Sequence, residues 1–189
     1  KVENMPSFLK THMASSYEVE WVQDILDSLE KEFYSVSDKE ILKSEDFCHG
    51  SIDSASLCTA NGLFKFINFS SCFTGNKMLD FCFLFFNFGL DDLSFNSLVK
   101  RYCLFFDLDY EYTKNEFREC RNAALCVYLT NLTIETLIEQ FIYKNARQDK
   151  LASIVSKYKN LQGHFKNLKC YETIHPSLEK IFKAPVDFI

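Results

Sequence analysis

Turn-forming residues are scarce in this chain, and this scarcity limits the possible folds more than any other feature of the sequence. Five glycines and three prolines occur among 189 residues. A fold of many short strands needs a turn at each strand end and would contain more of both residues. The sequence therefore predicts an all-α fold of packed antiparallel helical hairpins, arranged as a compact bundle or as an α-hairpin repeat. Twelve of the 20 phenylalanines lie between Leu63 and Phe106, so we expect a Phe-rich core.

A weak internal recurrence favours the repeat arrangement. A hydroxyl residue followed by leucine recurs at steps of 41, 39 and 41 residues, at Ser56-Leu57, Ser97-Leu98, Thr136-Leu137 and Ser177-Leu178. Stacked helical hairpins produce a period of about this size, because each hairpin buries its apolar face on the next.

Several local signals predict where helices begin and end. Capping boxes, in which a hydroxyl and a carboxylate satisfy backbone donors, predict helix starts at Ser15, Ser37 and Thr113. Further N-cap candidates are Asp91 or Asp92, Thr133 and Asn145. Pro176 suits a first helical position, and Gly89 and Gly163 suit C-terminal caps.

Apolar periodicity gives the extent of the predicted elements. Apolar side chains at helical spacing predict one helix over about 16–34 and a helical hairpin over about 133–161. The aromatic stretch 63–73 fits either a short strand or a buried helix, because periodicity does not separate these two structures.

The chain divides by composition into a lead and one helical domain. Residues 1–15 are expected to be a flexible lead, a tag or a fused peptide, because His12-Met13-Ala14-Ser15 resembles an engineered junction. Residues 16–189 are predicted to form a single domain, with an acidic N-terminal part over 16–75 and a hairpin-repeat-like part over 76–189. Four apolar residues near helical spacing make the lead a possible fused ligand of this domain, namely Val2, Met5, Phe8 and Leu9.

The cysteines indicate a reducing compartment. Eight cysteines occur without a Cys-x-x-Cys pair, and five of them stand among apolar residues, where a free thiol behaves as a small buried hydrophobe. These five are Cys72, Cys82, Cys103, Cys120 and Cys126. We therefore expect reduced thiols and an intracellular protein, cytoplasmic or nuclear. The longest apolar run, 78–88, is too short to span a bilayer.

No motif of the sequence predicts catalysis, a metal or a cofactor. The segment Leu104-Phe105-Phe106-Asp107-Leu108-Asp109 resembles the first motif of haloacid-dehalogenase-type phosphatases, but Tyr110-Glu111-Tyr112 follows where that motif continues with Gly or Val and then Thr. We expect these two aspartates to lie in a polar loop between helices. Cys48, His49, Cys58 and Cys72 lack the ligand spacing of a zinc site, and the scattered glycines form no phosphate loop.

Two segments resemble pentatricopeptide-type helical hairpins. The closer one contains Thr133-Ile-Glu-Thr-Leu-Ile, Tyr143-Lys-Asn-Ala-Arg and Asp149-Lys-Leu, and the other spans Leu93–Phe106. The resemblance implies α-hairpin geometry. It also implies a base-reading position on the first helix of each hairpin, which Asn96 fits and Glu135 does not.

Charge is polarised along the chain and supplies an alternative function. Eleven acidic and three basic residues lie between Tyr17 and Asp53, whereas nine basic and three acidic residues lie between Lys144 and Lys183. A basic surface of this kind could contact phosphates, through Lys144, Arg147, Lys150, Lys157, Lys159, Lys166 and Lys169.

The sequence favours a non-catalytic scaffold or adaptor module. Helical arrays present concave surfaces, so we expect another protein to dock through a short amphipathic segment in a groove between helices. Nucleic-acid binding by the basic C-terminal third is the alternative. The composition, rich in Phe, Asn and Lys, also leaves open a viral helical-bundle mimic.

Overall fold

The computed structural model describes residues 16–37, 44–50, 52–69, 72–143 and 148–183. Its contacts divide the chain into two compact units, which are taken separately below. The first unit comprises Lys1–Tyr34 and Leu125–Ile189, and the second comprises Ser35–Ala124.

Six α-helices account for most of the described residues. They are α1 (Ser16–Ser37), α2 (Met78–Phe88), α3 (Asp92–Phe106), α4 (Tyr110–Leu137), α5 (Gln148–Phe165) and α6 (Tyr171–Lys183). Helix α4 continues into a short π-helix, Ile138–Ile142. The predicted helical character is therefore confirmed. No helix in the described part of the chain has the length and hydropathy that crossing a membrane requires.

Two small antiparallel sheets are an exception to the all-α prediction. Strand β1 (Asp46–Cys48) pairs with β4 (Phe73–Gly75), and β2 (Leu57–Ala60) pairs with β3 (Leu63–Phe66). The ambiguous stretch 63–73 thus contains a strand at its start and the first residue of another at its end. A 3₁₀ turn, Ser54–Ser56, leads into β2 and is capped by the Asp53 carboxylate.

The first unit has an aliphatic and aromatic core. The predicted stripe on α1 is buried through Val22, Ile25, Leu26 and Leu29. The Tyr158 ring stacks on Phe182, with 3.9 Å between ring centroids, and this contact joins α5 to α6. Burying such stripes is the main source of stability for helices of this length.

The second unit has the predicted Phe-rich core. Phe95 and Phe117 stack with ring centroids 3.9 Å apart, and the edge of Phe85 meets Phe95 at 5.1 Å. These three rings bring together α2, α3 and the start of α4. The Arg121 guanidinium lies 5.4 Å from the centroid of Phe85, which places a cation over the ring face.

Some predicted helix boundaries are confirmed. The Asp91 carboxylate accepts a hydrogen bond from the Ser94 amide and caps α3. Gly89 follows α2 in the left-handed conformation at φ 58°, as a C-terminal cap requires.

Other predicted boundaries were wrong. Three predicted starts lie inside helices, at Thr113, Thr133 and Pro176. At each of them, either a neighbouring residue caps the helix or the apolar stripe continues through the predicted start. At α4 the capping carboxylate is that of Asp109, which accepts from the Tyr112 amide. Ser37 is the last residue of α1, and Gly163 lies within α5. Ser15 and Asn145 lie outside the described residues.

The recurring hydroxyl–leucine pairs do not occupy equivalent places. Ser56-Leu57 joins the 3₁₀ turn to β2, whereas Thr136-Leu137 ends α4. Ser97-Leu98 and Ser177-Leu178 lie inside α3 and α6. The recurrence therefore does not mark four copies of one helical unit.

Candidate functional site

The β2–β3 hairpin of the second unit is built on a two-residue turn. Asn61 and Gly62 both have positive φ, 55° and 75°, as a type I′ turn requires. The pairing is Leu57 with Phe66 through Ala60 with Leu63. The Ile67 amide donates to the Ser56 carbonyl at 2.9 Å and continues the ladder beyond β3.

Six large apolar side chains on and beside this hairpin are exposed. The most exposed is Phe64, at 81%. We call this set the hairpin apolar surface, and its members are Phe47, Leu63, Phe64, Phe66, Ile67 and Phe69. Single exposed hydrophobes scattered over a surface are ordinary, but several exposed on and beside one hairpin favour an interaction site. Phe64 and Phe66 lie on one face of β3 and Leu63 on the other.

His49 is the buried support of this surface. Its ring packs against Phe69 and Phe66, with centroids 4.8 and 5.8 Å away, and Phe69 in turn contacts Phe47 at 6.2 Å. Its Nε2 hydrogen-bonds the Ile67 carbonyl at 2.8 Å. One framework therefore holds Phe47, Phe66 and Phe69, which are not independent surface residues.

The start of α2 anchors the same framework. The Asp80 carboxylate accepts from the backbone amides of His49 and Gly50, at 2.7 and 2.8 Å. Cys48, the sequence neighbour of His49, is buried, and burial together with the Asp80 charge raises the pKa of its thiol to about 11. The thiol is therefore protonated at neutral pH and is not an activated nucleophile.

A second apolar group lies around the end of α3. Phe105 is 82% exposed, and its ring contacts Phe106 at 4.9 Å. We call this group the α3-end surface, and its members are Leu104, Phe105, Phe106, Leu108 and Tyr112. Asp107 ends α3 in the left-handed conformation, and Asp109 caps α4. The expectation that these two aspartates lie in a polar loop between helices is confirmed.

A polar cleft lies between α5 and α6 in the first unit. Its volume is about 420 Å³, and it is lined by Lys159, Gln162, Gly163, Lys166, Tyr171, Glu172 and His175. His175 Nε2 lies 3.2 Å from Gln162 Nε2 and 3.5 Å from a carboxylate oxygen of Glu179. The two lysines face a partly anionic wall, so the cleft has mixed charge.

Among the predicted phosphate-contacting residues, those that the structure describes do not gather on one surface. Lys157 and Lys159 project about 200° apart on α5, at 100° per residue, so they lie on opposite flanks of its buried stripe. Lys150 is paired with the buried carboxylate of Glu139 at 2.6 Å. Lys166 lines the cleft with Lys159, and Lys169 is exposed. Lys144 and Arg147 lie outside the described residues.

The remaining candidates from the sequence have no shared site. All eight cysteines are free thiols; Cys72 is exposed, and the other four predicted to be buried are buried. Within the described ranges, no three His, Cys, Asp or Glu side chains gather as metal ligands would. The lead residues Val2, Met5, Phe8 and Leu9 lie outside the described residues.

Sequence reasoning missed the hairpin apolar surface, although one signal could have found it. An Asn-Gly pair between Leu57–Ala60 and Leu63–Phe66 is the strongest short-range sign of a β-hairpin. Recognising it would have resolved the ambiguity over 63–73 in favour of strand.

The comparisons with known proteins add no family to this description. No known protein family, curated protein or solved structure matches the chain. The argument for function therefore depends on the geometry and chemistry of the surfaces described above.

Proposed function

We propose that this protein is a non-catalytic interaction module that docks a partner protein on the hairpin apolar surface. The observation that carries the proposal is the group of six large exposed apolar side chains, of which Phe66 and Phe69 pack on buried His49. Leaving such a group in water costs free energy, which a partner recovers by covering it.

The hairpin itself supports the same proposal. A lone two-stranded hairpin is marginally stable in water, and β3 is exposed at all four positions. Among the described residues its outer edge pairs with no third strand, which leaves room for an added one. The partner is therefore an apolar segment of low charge that lies along β3, and the hairpin replaces the inter-helix groove as its docking place. A reducing compartment, cytoplasmic or nuclear, suits eight free thiols.

The test is capture of a partner from lysate by the full chain and by two matched variants. Phe64→Ser removes the most exposed member of the hairpin apolar surface, and Phe105→Ser removes an equally exposed ring from the α3-end surface. We expect wild type and Phe105→Ser to retain the same protein in high salt and after nuclease treatment, and Phe64→Ser to lose it.

Three results would contradict the proposal. Capture that survives Phe64→Ser places the contact elsewhere. Capture that nuclease abolishes makes nucleic acid the partner. Binding to phospholipid vesicles that depends on Phe64 would make the surface a membrane contact.

Nucleic-acid binding is the second candidate, and one observation favours it. Two of the predicted residues, Lys159 and Lys166, line the same cleft. Phosphate contacts of this kind weaken steeply as salt rises. A Lys159→Gln/Lys166→Gln variant should then lose affinity for single-stranded RNA and show a shallower salt dependence, while Phe64→Ser should bind as wild type does.

A further inference from the structure

The open edge of β3 has a defined polarity. The Ile67 amide points towards β2, because it donates to the Ser56 carbonyl. The backbone N–H and C=O groups of successive residues point to opposite sides of a strand. Those of Leu63 and Lys65 therefore also point towards β2. The N–H and C=O groups of Phe64 and Phe66 consequently point outwards, and among the described residues β3 pairs with β2 alone.

This polarity limits how a strand can be added. An antiparallel partner must place its own outward residues opposite Phe64 and Phe66. If the added strand is β3 of a second copy, the two-fold axis passes through Phe64, Lys65 or Phe66. If the axis passed between two residues, outward-pointing backbone groups of one strand would lie opposite inward-pointing groups of the other. No ladder of hydrogen bonds would then form.

The register centred on Lys65 makes the strand complementary to itself. Phe64 then lies opposite Phe66 of the second copy on one face of the joined sheet. The two-fold axis places Phe66 opposite Phe64 of the second copy in the same way. On the other face, Leu63 lies opposite Ile67 of the second copy. The register centred on Phe64 would pair Leu63 with Lys65 and Phe66 with Gly62. The register centred on Phe66 would pair Phe64 with Asn68 and Lys65 with Ile67. Apolar cross-strand pairs stabilise a sheet, so the register on Lys65 is favoured.

We propose that the occupant of the hairpin apolar surface is a second copy of this chain, joined through antiparallel β3–β3 pairing about a two-fold axis at Lys65. This inference rests on the proposed function and names its partner. The joined hairpins form a four-stranded sheet, which removes the isolated hairpin's weakness.

The available area sets the strength of this dimer. With about 200 Å² for a whole phenylalanine side chain, the exposed parts of the six side chains amount to roughly 700 Å² per copy. A standard stable interface covers about 800 Å² per partner. Edge pairing covers only part of this area, because Leu63 and Ile67 lie on the face opposite Phe64 and Phe66. The dimer is therefore at or below the lower end of the specific range, and we expect a dissociation constant on the order of micromolar or weaker.

Lys65 gives the register a distinctive signature. The two Lys65 side chains face each other across the axis, and like charges opposite each other weaken a sheet. Lys65→Gln should therefore tighten the dimer by about two- to fivefold. Added salt should strengthen the wild-type dimer by screening the same repulsion.

Sedimentation velocity of the full chain across a range of micromolar concentrations tests the inference. We expect a monomer–dimer equilibrium in wild type and in Phe105→Ser, a monomer in Phe64→Ser, and a tighter dimer in Lys65→Gln. A wild-type chain that stays monomeric, a dimer that survives Phe64→Ser, or a dimer unchanged by Lys65→Gln would overturn it. The gain expected of Lys65→Gln keeps the test informative if Phe64→Ser disturbs the hairpin.

The two proposals fail separately. A monomeric wild-type chain whose capture of another protein still requires Phe64 would remove the second copy as partner and leave the docking function. Loss of both the dimer and the Phe64-dependent capture would remove both proposals.

Discussion

Glu32 shows how one buried charge can be accommodated in the first unit. It is 7% exposed, and its carboxylate oxygens accept from the backbone amides of Lys169 and Cys170, at 2.9 and 2.8 Å. These amides immediately precede α6, whose N-terminal end is the favourable end of the helix dipole for a negative charge. A residue of α1 thereby fixes the start of a helix about 140 positions later in the chain.

Replacing this charge should destabilise the protein. Glu32→Gln keeps the shape of the side chain but sets an amide NH₂ against one of the two backbone donors. We expect the free energy of unfolding, measured by urea denaturation, to fall by about 1–3 kcal/mol. Glu30→Gln, on the same helix but without a buried carboxylate, should change it by less than about 0.5 kcal/mol. Equal effects of the two substitutions would mean that the hydrogen bonds from the Lys169 and Cys170 amides to Glu32 contribute nothing to stability.

Burial governs the chemistry of the cysteines. It raises the pKa of Cys120 to about 12, with the charges of Glu116 and Glu119 adding to the effect. The same cause, assisted by Glu32, raises the pKa of Cys170 to about 12. Thiols with such values stay protonated and react slowly with alkylating reagents at neutral pH, whereas the exposed Cys72 should be alkylated first.

The raised thiol pKa values predict an alkaline loss of stability. An unfolded thiol ionises near 9, whereas Cys120 in the folded chain holds its proton to about 12. The stability that the protonated Cys120 thiol contributes to the folded state is therefore complete below pH 9. It decreases as pH rises towards 12. We expect the stability difference between wild type and Cys120→Ala, measured by urea unfolding, to shrink over this range. A constant difference would show that the thiol does not titrate with unfolding.

At the scale of elements, two glycines have opposite roles. Gly62 stands in the hairpin turn at φ 75°, and Gly163 lies inside α5; a Cβ at either place would meet no atom within 4 Å. Any effect of alanine must therefore come from the backbone. The left-handed conformation disfavours alanine at Gly62, whereas a helix interior favours it at Gly163.

The expected effects differ in sign. Gly62→Ala should weaken the β2–β3 hairpin by about 1 kcal/mol, seen as faster hydrogen exchange of its amides. Gly163→Ala should raise the free energy of unfolding by roughly 0.5–1 kcal/mol in urea denaturation. A stabilising Gly62→Ala would contradict the type I′ turn.

Helices could be predicted from the sequence more readily than their limits. The buried stripe of α1 follows from helical periodicity and is confirmed. Thr133 was misread as a helix start because a hydroxyl residue before an apolar run looks the same inside a helix as at its end. In α4 the apolar pattern continues through Thr133, so packing decides the boundary.

At the scale of the whole molecule, composition predicted the core but not the hairpin apolar surface. The concentration of phenylalanine predicted a Phe-rich core, and Phe85, Phe95 and Phe117 form one. The same composition did not indicate that Phe64 is exposed. A strand that faces water on both sides has no apolar–polar alternation by which it could be recognised. The basic residues looked continuous in sequence, but the helical twist of α5 separates Lys157 from Lys159.

We propose above that another protein chain binds on the hairpin apolar surface. Site-specific photo-cross-linking tests this binding, with a benzoylphenylalanine placed at Phe64 and, as the matched control, at Phe105. We expect a covalent protein–protein adduct from position 64 and little from position 105. Adducts from position 105 alone, or no adduct from position 64 at concentrations that permit binding, would contradict it.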